Sequence, residues 1–247
     1  MFEWLGLHKN RAMSLTLSGI SSMATRLLLN ELALAYQAHS GVAVAFESMG
    51  GVDAAKRVAA GEVFDVVVLA ADAITRLAAS GAVLAETATP LVTSAVAIAV
   101  RTGTAAPDIG NEDALRHAVL AARNIGYSTG PSGMALLALF ARWGIRDQIK
   151  DRLIQAPPGV PVGALVARGE VALAFQQLSE LMNLEGVSVI GAMPAPIEII
   201  TTFSAAVCRT CSQPDEAHKL LVYLASSATA SVKLRHGMQA TTSGASQ

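Results

Sequence analysis

Three short segments rich in serine and glycine lie where predicted strands end and predicted helices begin. They are Ser18-Gly-Ile-Ser-Ser22, Ser48-Met-Gly-Gly51 and Ser128-Thr-Gly-Pro-Ser-Gly133. Such segments offer hydroxyl groups and unpaired backbone N–H groups at the positive end of a helix dipole, a geometry that binds anions. Ordinary helix capping is the alternative, because serine and glycine are common at helix starts. Three such junctions in one chain favour an anion site, with candidate ligand-binding residues Ser18, Ser21, Ser22, Gly50, Gly51, Ser128, Ser132 and Gly133.

Two adjacent glutamines, Gln176 and Gln177, follow a predicted apolar strand at 172–175. Ligands in open α/β sheets bind at the carboxyl ends of the strands, so these amides are placed to meet the same ligand as the serine junctions. A solvated turn is the alternative interpretation. We therefore add Gln176 and Gln177 to the candidate ligand-binding residues.

Familiar motifs of cofactor and metal enzymes are absent from the sequence. It contains no P-loop, no Gly-x-Gly-x-x-Gly, no His-Glu-x-x-His and no Gly-x-Ser-x-Gly. Cys208 and Cys211 form a Cys-x-x-Cys pair, a pattern found in redox and zinc sites. A zinc site would need two more ligands, and the nearest histidine, His218, lies on a predicted helix. We therefore expect two loop thiols, no metal site and no cofactor.

Strand and helix signals alternate along the whole chain, and this alternation positions the junctions. Helices are predicted from apolar residues at helical spacing and from caps such as Gly81 and Pro131. This βαβ pattern predicts an α/β protein with open parallel sheets and helices on both faces. The predicted strands are 15–18, 42–46, 65–69, 94–101, 125–128, 153–155, 172–175, 187–190 and 197–207.

The composition is that of a folded protein with a large core. Of the 247 residues, 52% are hydrophobic and 15% are charged, and the net charge of −1 gives no basic surplus for nucleic acid. The longest uncharged apolar stretch, 87–100, contains Pro90 and is shorter than the roughly 20 residues that cross a membrane, so we predict no membrane span. The N-terminus has no secretory pattern as written, which predicts a cytoplasmic protein, or a periplasmic one if a leader was removed.

The order of the junctions resembles that of the molybdate-binding branch of the periplasmic binding proteins. The resemblance covers about residues 14–238 and implies a two-lobed type II fold, in which two parallel or mixed sheets are joined by two long hinge strands. Residues 14–97 and 201–247 would form one lobe and 98–200 the other, after an N-terminal extension at 1–13. The motifs are Gly-Val-x-Val-x-Phe at 41–46, Gly50-Gly51, Phe64-Asp65-Val-Val, Pro131-Ser132-Gly133, Val166-x-x-Gly169-Glu170 and Pro214-x-x-Ala217.

The sequence departs from that family at the positions where the family binds its ligand. Ser22 matches the family's first anion-binding serine, but the second lies in a Gly-Ser-Gly run that here reads Gly50-Gly51-Val52. Gln177 stands where the family has a tyrosine, and Ser132 where it uses a backbone N–H. These changes favour a longer planar anion, such as a di- or tricarboxylate, over molybdate.

Two functions remain open for such a protein. One is a binding protein that closes on a small carboxylate, with an ABC transporter as partner if it is exported. The other is a cofactor-free isomerase, because a branch of the same fold resembles aconitate isomerase, which moves a double bond in a tricarboxylate. An isomerase needs a base. Glu47, Lys56 and Asp72 lie near the right edge of the sheet, although each is more often a surface charge.

Overall fold

A computed structural model describes residues 15–241. The predicted extension 1–13 and the end of the chain after 241 lie outside the described residues. The strands are β1 (Thr16–Ser22), β2 (Ala43–Met49), β3 (Val66–Ala70), β4 (Thr89–Arg101), β5 (Ile125–Tyr127), β6 (Leu153–Gln155), β7 (Leu173–Gln177), β8 (Val187–Ala192), β9 (Ile200–Val207) and β10 (Gln239–Ala240).

Helices separate most of the strands, which confirms the predicted α/β class. They are α1 (Arg26–Ser40), α2 (Gly51–Ala59), α3 (Ala71–Ala79), α4 (Glu112–Ala121), α5 (Pro131–Arg142), α6 (Arg146–Ile149), α7 (Val162–Ala167), α8 (Leu178–Leu181), α9 (Pro214–Ala225) and α10 (Ala230–Arg235). Within residues 15–241, no helix is long and apolar enough to cross a membrane.

The sheet has two halves that share strand β4. In the first half, β2, β1 and β3 are parallel, and β9 runs antiparallel between β3 and β4. In the second half, β7, β5 and β6 are parallel, while β7 and β8 both run antiparallel to β4. Strand β4 pairs with β9 as far as Ala95 and with β7 from Val96 onward. The chain therefore passes from one half to the other in the middle of this strand.

Each half has its own hydrophobic core. The clusters of the first half draw on residues of 17–92 and 203–238, whereas those of the second half draw on residues of 96–197. The cores thus change over between Val92 and Val96 and again between Ile197 and Phe203. The lobe boundaries at 97/98 and 200/201 stay a prediction.

The helices that frame the sheet end and begin where their sequences dictate. Helix α1 buries Leu28, Leu32 and Tyr36 on one face and stops at Gly41, whose φ of +77° suits glycine. Helix α5 begins with Pro131. Proline has no backbone N–H, and the first position of a helix does not need one. Helices α2, α3 and α5 all start just after the carboxyl end of a strand. Because β5 runs antiparallel to β2 and β3, the carboxyl ends of the two halves point toward each other, and the helix N-termini meet between the halves.

Candidate functional site

A cavity of about 270 Å³ lies between the two halves, at the carboxyl ends of the strands. The first half contributes Ser22 at the end of β1 and Ala70 at the end of β3. The second half contributes Ser128 just after β5 and Gln177 at the end of β7. This is the position at which open α/β sheets bind their ligands.

The cavity brings together most of the residues that the sequence singled out. One group comes from the first half and the other from the second, although 106 residues separate Ser22 from Ser128 in the chain. The predicted candidates that line the cavity are Ser22, Gly50, Gly51, Ser128, Ser132, Gln176 and Gln177.

The other three candidates, Ser18, Ser21 and Gly133, do not line the cavity. The backbone N–H and the hydroxyl of Ser18 donate to Asp65 Oδ2 at 2.8 and 3.0 Å, which links β1 to the residue before β3. Ser21 is fully buried, and its hydroxyl lies 2.8 Å from that of Ser48. An added Cβ on Gly133 would lie 1.9 Å from the Ser128 carbonyl oxygen, so this glycine lets α5 approach the loop before it. The structure gives each of the three a packing role.

Two unpaired polar atoms mark the cavity wall. Of the residues described, five have a buried side-chain polar atom without a hydrogen-bond partner, and two of these, Ser22 Oγ and Gln177 Oε1, belong to the cavity lining. Ser22 is 7% exposed and Gln177 is 4% exposed. Leaving such groups unsatisfied costs about 1–3 kcal/mol each, which a polar ligand in the cavity would offset.

Gln177 can present either end of its amide to that ligand. Its Nε2 donates to the hydroxyl oxygen of Thr201 at 2.8 Å. A hydroxyl both donates and accepts, so Thr201 would also satisfy the reversed amide, with its O–H donating to Oε1. The reversed amide would turn the NH₂ group toward the cavity, where it would donate to an anionic ligand.

Backbone N–H groups add to these side chains. The first N–H groups of a helix have no intrahelical acceptor. In α2 the groups of Asp53 and Ala54 bond to the Gly50 carbonyl, which leaves those of Gly51 and Val52 at the cavity. In α5, Pro131 has no N–H, and the Ser132 N–H is the first donor available. Anions are stabilised at such helix ends.

The cavity lining also contains four residues that were not predicted from the sequence: Arg76, Glu180, Thr201 and Phe203. Arg76 lies on α3, exposed and 2.8 Å from Asp72, and supplies positive charge to the cavity lining. Phe203 and Leu69 make part of the wall apolar. The sequence predicted β9 as a long strand, but no local pattern indicated that its residues Thr201 and Phe203 face a ligand.

Among the described residues that line the cavity, Glu180 is the one carboxylate. Its Oε1 accepts a hydrogen bond of 2.9 Å from Gln176 Nε2, and the Gln176 Oε1 accepts one of 3.2 Å from the Gly163 N–H. Burial raises the pKa of Glu180 to about 7, although the Gln176 hydrogen bond and the positive charge of Arg26 act in the opposite direction. Near neutral pH this residue therefore exists both as a carboxylate and as a carboxylic acid.

The three basic or acidic side chains considered from the sequence lie elsewhere. Glu47 pairs with Arg57 at 2.5 Å, Lys56 pairs with Asp53 at 3.4 Å, and Asp72 pairs with Arg76. None of Glu47, Lys56 and Asp72 lines the cavity. They form surface ion pairs on β2, α2 and α3, whereas the carboxylate among the described cavity residues is Glu180.

Cys208 and Cys211 do not form a metal site with other described residues. Cys208 and Cys211 are free thiols, and the Cys211 N–H donates to the Cys208 carbonyl at 3.1 Å in a tight turn. Burial raises the pKa of Cys208 to about 12 and that of Cys211 to about 11, so both are protonated at neutral pH. Over residues 15–241, no group of three or more histidine, cysteine or acidic residues could hold a metal ion.

Residues 17–239 match the model of the family described as bacterial extracellular solute-binding protein. The chain belongs to this family. Solute-binding proteins of this kind are extracellular by that description, and the matched segment contains both halves of the sheet and the whole cavity lining.

Among curated proteins, an aconitate isomerase from Pseudomonas sp is 38% identical over 219 residues, which cover 85% of this chain and 82% of that protein. Among solved structures, the periplasmic molybdate-binding protein of Azotobacter vinelandii has a TM-score of 0.77 at 16% identity, over 92% of this chain and 100% of the other. PEB3 of Campylobacter jejuni, bound to L-phospholactate, has a TM-score of 0.68 at 13% identity. The match covers 90% of this chain and 99% of the PEB3 chain.

These likenesses confirm the predicted fold and family. The solute-binding protein has the two-lobed periplasmic-binding-protein fold of the molybdate-binding proteins, and it has a curated relative that is an aconitate isomerase. Structural similarity at such low identity does not extend to the ligand, and the departures at Gly51 and Gln177 fall in the cavity wall.

Proposed function

We propose that this solute-binding-fold protein closes on a tricarboxylate and isomerises aconitate without a cofactor. The observation that carries the proposal is the 38% identity to an aconitate isomerase over 85% of the chain. It is supported by a cavity that combines hydroxyls, an amide and helix N-termini with one carboxylate.

The lining favours a carboxylate over a tetrahedral oxyanion. Molybdate presents only oxygen atoms, whereas part of this cavity is walled by Leu69, Val160 and Phe203. Apolar side chains gain from contact with carbon, and unsatisfied donors gain from contact with oxygen. A tricarboxylate offers both surfaces, and its several oxygens could reach the donors of both halves.

The second candidate is transport of a carboxylate with no chemical change. The family description as extracellular solute-binding proteins favours it. In this case the protein would act in the periplasm and deliver its ligand to an ABC transporter. The same cavity residues would bind the ligand in both cases.

A thermal-shift screen separates the ligand classes. The panel contains molybdate, tungstate, sulfate, cis- and trans-aconitate, citrate and simple dicarboxylates. A ligand at 100 times its Kd stabilises the protein by about 2.7 kcal/mol, which raises the melting temperature by about 5–10 °C for a chain of this size. We expect the shift with tricarboxylates. A shift with molybdate or tungstate alone would exclude the carboxylate proposal.

Isomerisation is measured on the same protein by NMR. Each aconitate isomer is incubated with the protein, and the ratio of the two isomers is followed with time. We expect both incubations to reach the same ratio. Binding of aconitate without any change in the ratio, at high protein concentration and long incubation, would leave the transport candidate and exclude the isomerase.

A further inference from the structure

Glu180 has a fixed position in the cavity wall. Gln176 is 3% exposed, and its amide is held at both ends, by the Gly163 N–H on the oxygen and by Glu180 Oε1 on the nitrogen. Reversing the amide would set its oxygen against the carboxylate and its NH₂ against an N–H group, and both contacts would be repulsive. The orientation is therefore determined, and Oε1 of Glu180 is anchored while Oε2 stays available.

The surroundings of Glu180 keep its charge from being neutralised by a tight ion pair. Strands β7 and β8, helix α7 and the 3-10 turn Met23–Thr25 pack against α8 and contain no ionisable residue. Strand β4 also packs against α8, and its one ionisable residue, Arg101, lies at the end of the strand beside Gly169. The charged group that acts on Glu180 is Arg26 at the start of α1, and Arg76 is the other ionisable residue of the cavity lining among the described residues. Neither forms a salt bridge with it, because Arg76 pairs with Asp72 and no pair joins Arg26 to Glu180 among the described residues. Burial then dominates, and the pKa near 7 suits a group that both takes and returns a proton.

We propose that Glu180 is the catalytic residue that moves the proton in the isomerisation, with Gln176 as its positioning residue; this inference rests on the proposed function. The Glu180 carboxylate removes a proton from the CH₂ carbon of aconitate. The electron pair of that C–H bond forms a new C=C bond, while the old C=C bond opens toward its far carbon. That carbon takes the proton from Glu180, so the substrate ends as an isomer of identical composition.

The rest of the wall stabilises the charge that develops between the two steps. The allylic anion spreads its charge into the adjoining carboxylates, whose oxygens face hydrogen-bond donors. Those donors are the Ser22 and Ser132 side chains, the Gly51 N–H and the reversed Gln177 amide. Donors fixed before the reaction stabilise such charge without reorganisation. The cycle consumes no cofactor and no external reactant.

The first test compares Glu180→Gln with Glu185→Gln. Glutamine at 180 keeps the shape and can still accept from Gln176, but it cannot take a proton. Glu185 is exposed, lies outside the cavity lining and undergoes the same chemical change. We expect Glu180→Gln to bind aconitate within about threefold of wild type while kcat falls by about 10²–10⁴, the usual contribution of general acid–base catalysis. Glu185→Gln should retain wild-type kcat.

The second test uses the pH dependence of kcat/KM. The reactive form of Glu180 is the carboxylate, so activity should rise as pH rises through about 7. Gln176→Leu removes the hydrogen bond that lowers this pKa, and we expect the midpoint of its profile to move to higher pH. Ionisation of the substrate is common to both proteins and cannot cause a difference between them. A merely structural role of Gln176 would lower stability without moving the midpoint.

The outcomes separate this inference from the proposed function. If wild type isomerises aconitate and Glu180→Gln does so within threefold, Glu180 is not the base while the proposed function stands. A proton held on Glu180 can exchange with solvent before it is returned, so in D₂O wild type should incorporate deuterium at the substrate's carbons, and Glu180→Gln should not. If wild type binds aconitate but neither isomerises it nor exchanges its protons, the proposed function fails and the assignment of Glu180 fails with it.

Discussion

At the scale of single residues, the cavity wall contains polar groups that have no hydrogen-bond partner among residues 15–241. Ser22 Oγ and Gln177 Oε1 are buried and unpaired, whereas the equally buried Ser21 is bonded to Ser48. Neighbouring serines on one strand thus have different roles, because side chains alternate between the faces of a strand. The sequence indicated both serines, but only the pairing of β1 with β2 shows that Ser21 bonds to Ser48 while Ser22 lines the cavity.

Glu180 illustrates what the sequence could not reveal. It lies on a short helical turn after the glutamine pair, and an acid at such a place is usually a solvated surface residue. Its burial results from contacts of α8 with the adjoining β7 and β8, and with β4 and the 3-10 turn at Met23–Thr25, which are distant in the chain. The raised pKa follows from that tertiary packing and from no local pattern.

Gly133 provides a prediction about stability at a single position. An alanine Cβ there would lie 1.9 Å from the Ser128 carbonyl oxygen, so Gly133→Ala must displace the first turn of α5. We expect the free energy of unfolding to fall by about 1–3 kcal/mol or more. The measurement is urea denaturation followed by circular dichroism.

The control for this variant is Gly130→Ala in the same loop. An added Cβ at Gly130 has no described atom within 4 Å, and its φ of −82° is allowed for alanine. We expect a change within about 0.5 kcal/mol. Equal stability of the two variants would contradict the close approach of α5 to Ser128.

At the scale of elements, strands are what bring the serine and glycine junctions together. The predicted alternation of strands and helices is confirmed, because apolar runs, Gly81 and Pro131 are local signals of strands and helix ends. Strand β1 is longer than predicted and reaches Ser22, since its end pairs with both β2 and β3. The short helix α6 and strand β10 were not predicted. Their few residues carry no clear periodicity, and tertiary contacts determine them.

The start of helix α2 allows a test of ligand selectivity. The molybdate-binding proteins, by the resemblance of their Gly-Ser-Gly run, have a serine where this helix has Gly51. An added Cβ at Gly51 would lie 3.7 Å from Ser22 Cβ, which is ordinary contact, so serine fits there. We expect Gly51→Ser to bind a tetrahedral oxyanion detectably and to bind tricarboxylates about tenfold more weakly, or about 1.4 kcal/mol. Isothermal titration calorimetry measures both affinities.

The neighbouring Gly50→Ser variant is the matched control. Its added Cβ would approach only Asp53, at 3.7 Å, and would not lie beside Ser22. Serine is also a favourable residue at the helix N-cap, so α2 should remain intact. Oxyanion binding gained equally by both variants, or by neither, would show that the Gly51 position does not set selectivity.

At the scale of the whole molecule, two separately packed halves meet around one cavity. Strand β4 joins them and the chain returns through the residues before β9, so that few covalent links span the cleft. The family resemblance predicted this architecture more fully than composition or periodicity did, because the order of several weak motifs is specific even where each motif is not. Neither the order of motifs nor the composition predicts the ligand class, because that depends on how side chains from both halves meet.

This arrangement predicts that one ligand protects helix starts in both halves from hydrogen exchange. With saturating tricarboxylate, peptides spanning Gly51–Ala59 and Pro131–Arg142 should exchange more slowly, because the ligand occupies the N–H groups at both helix starts. Helix α9 (Pro214–Ala225) contributes nothing to the cavity lining and reports any global stabilisation, which is subtracted. A clamp requires the extra protection on both sides of the cleft. Protection confined to α2 or to α5 would mean that the ligand sits on one half alone, and the two halves would then not share a site.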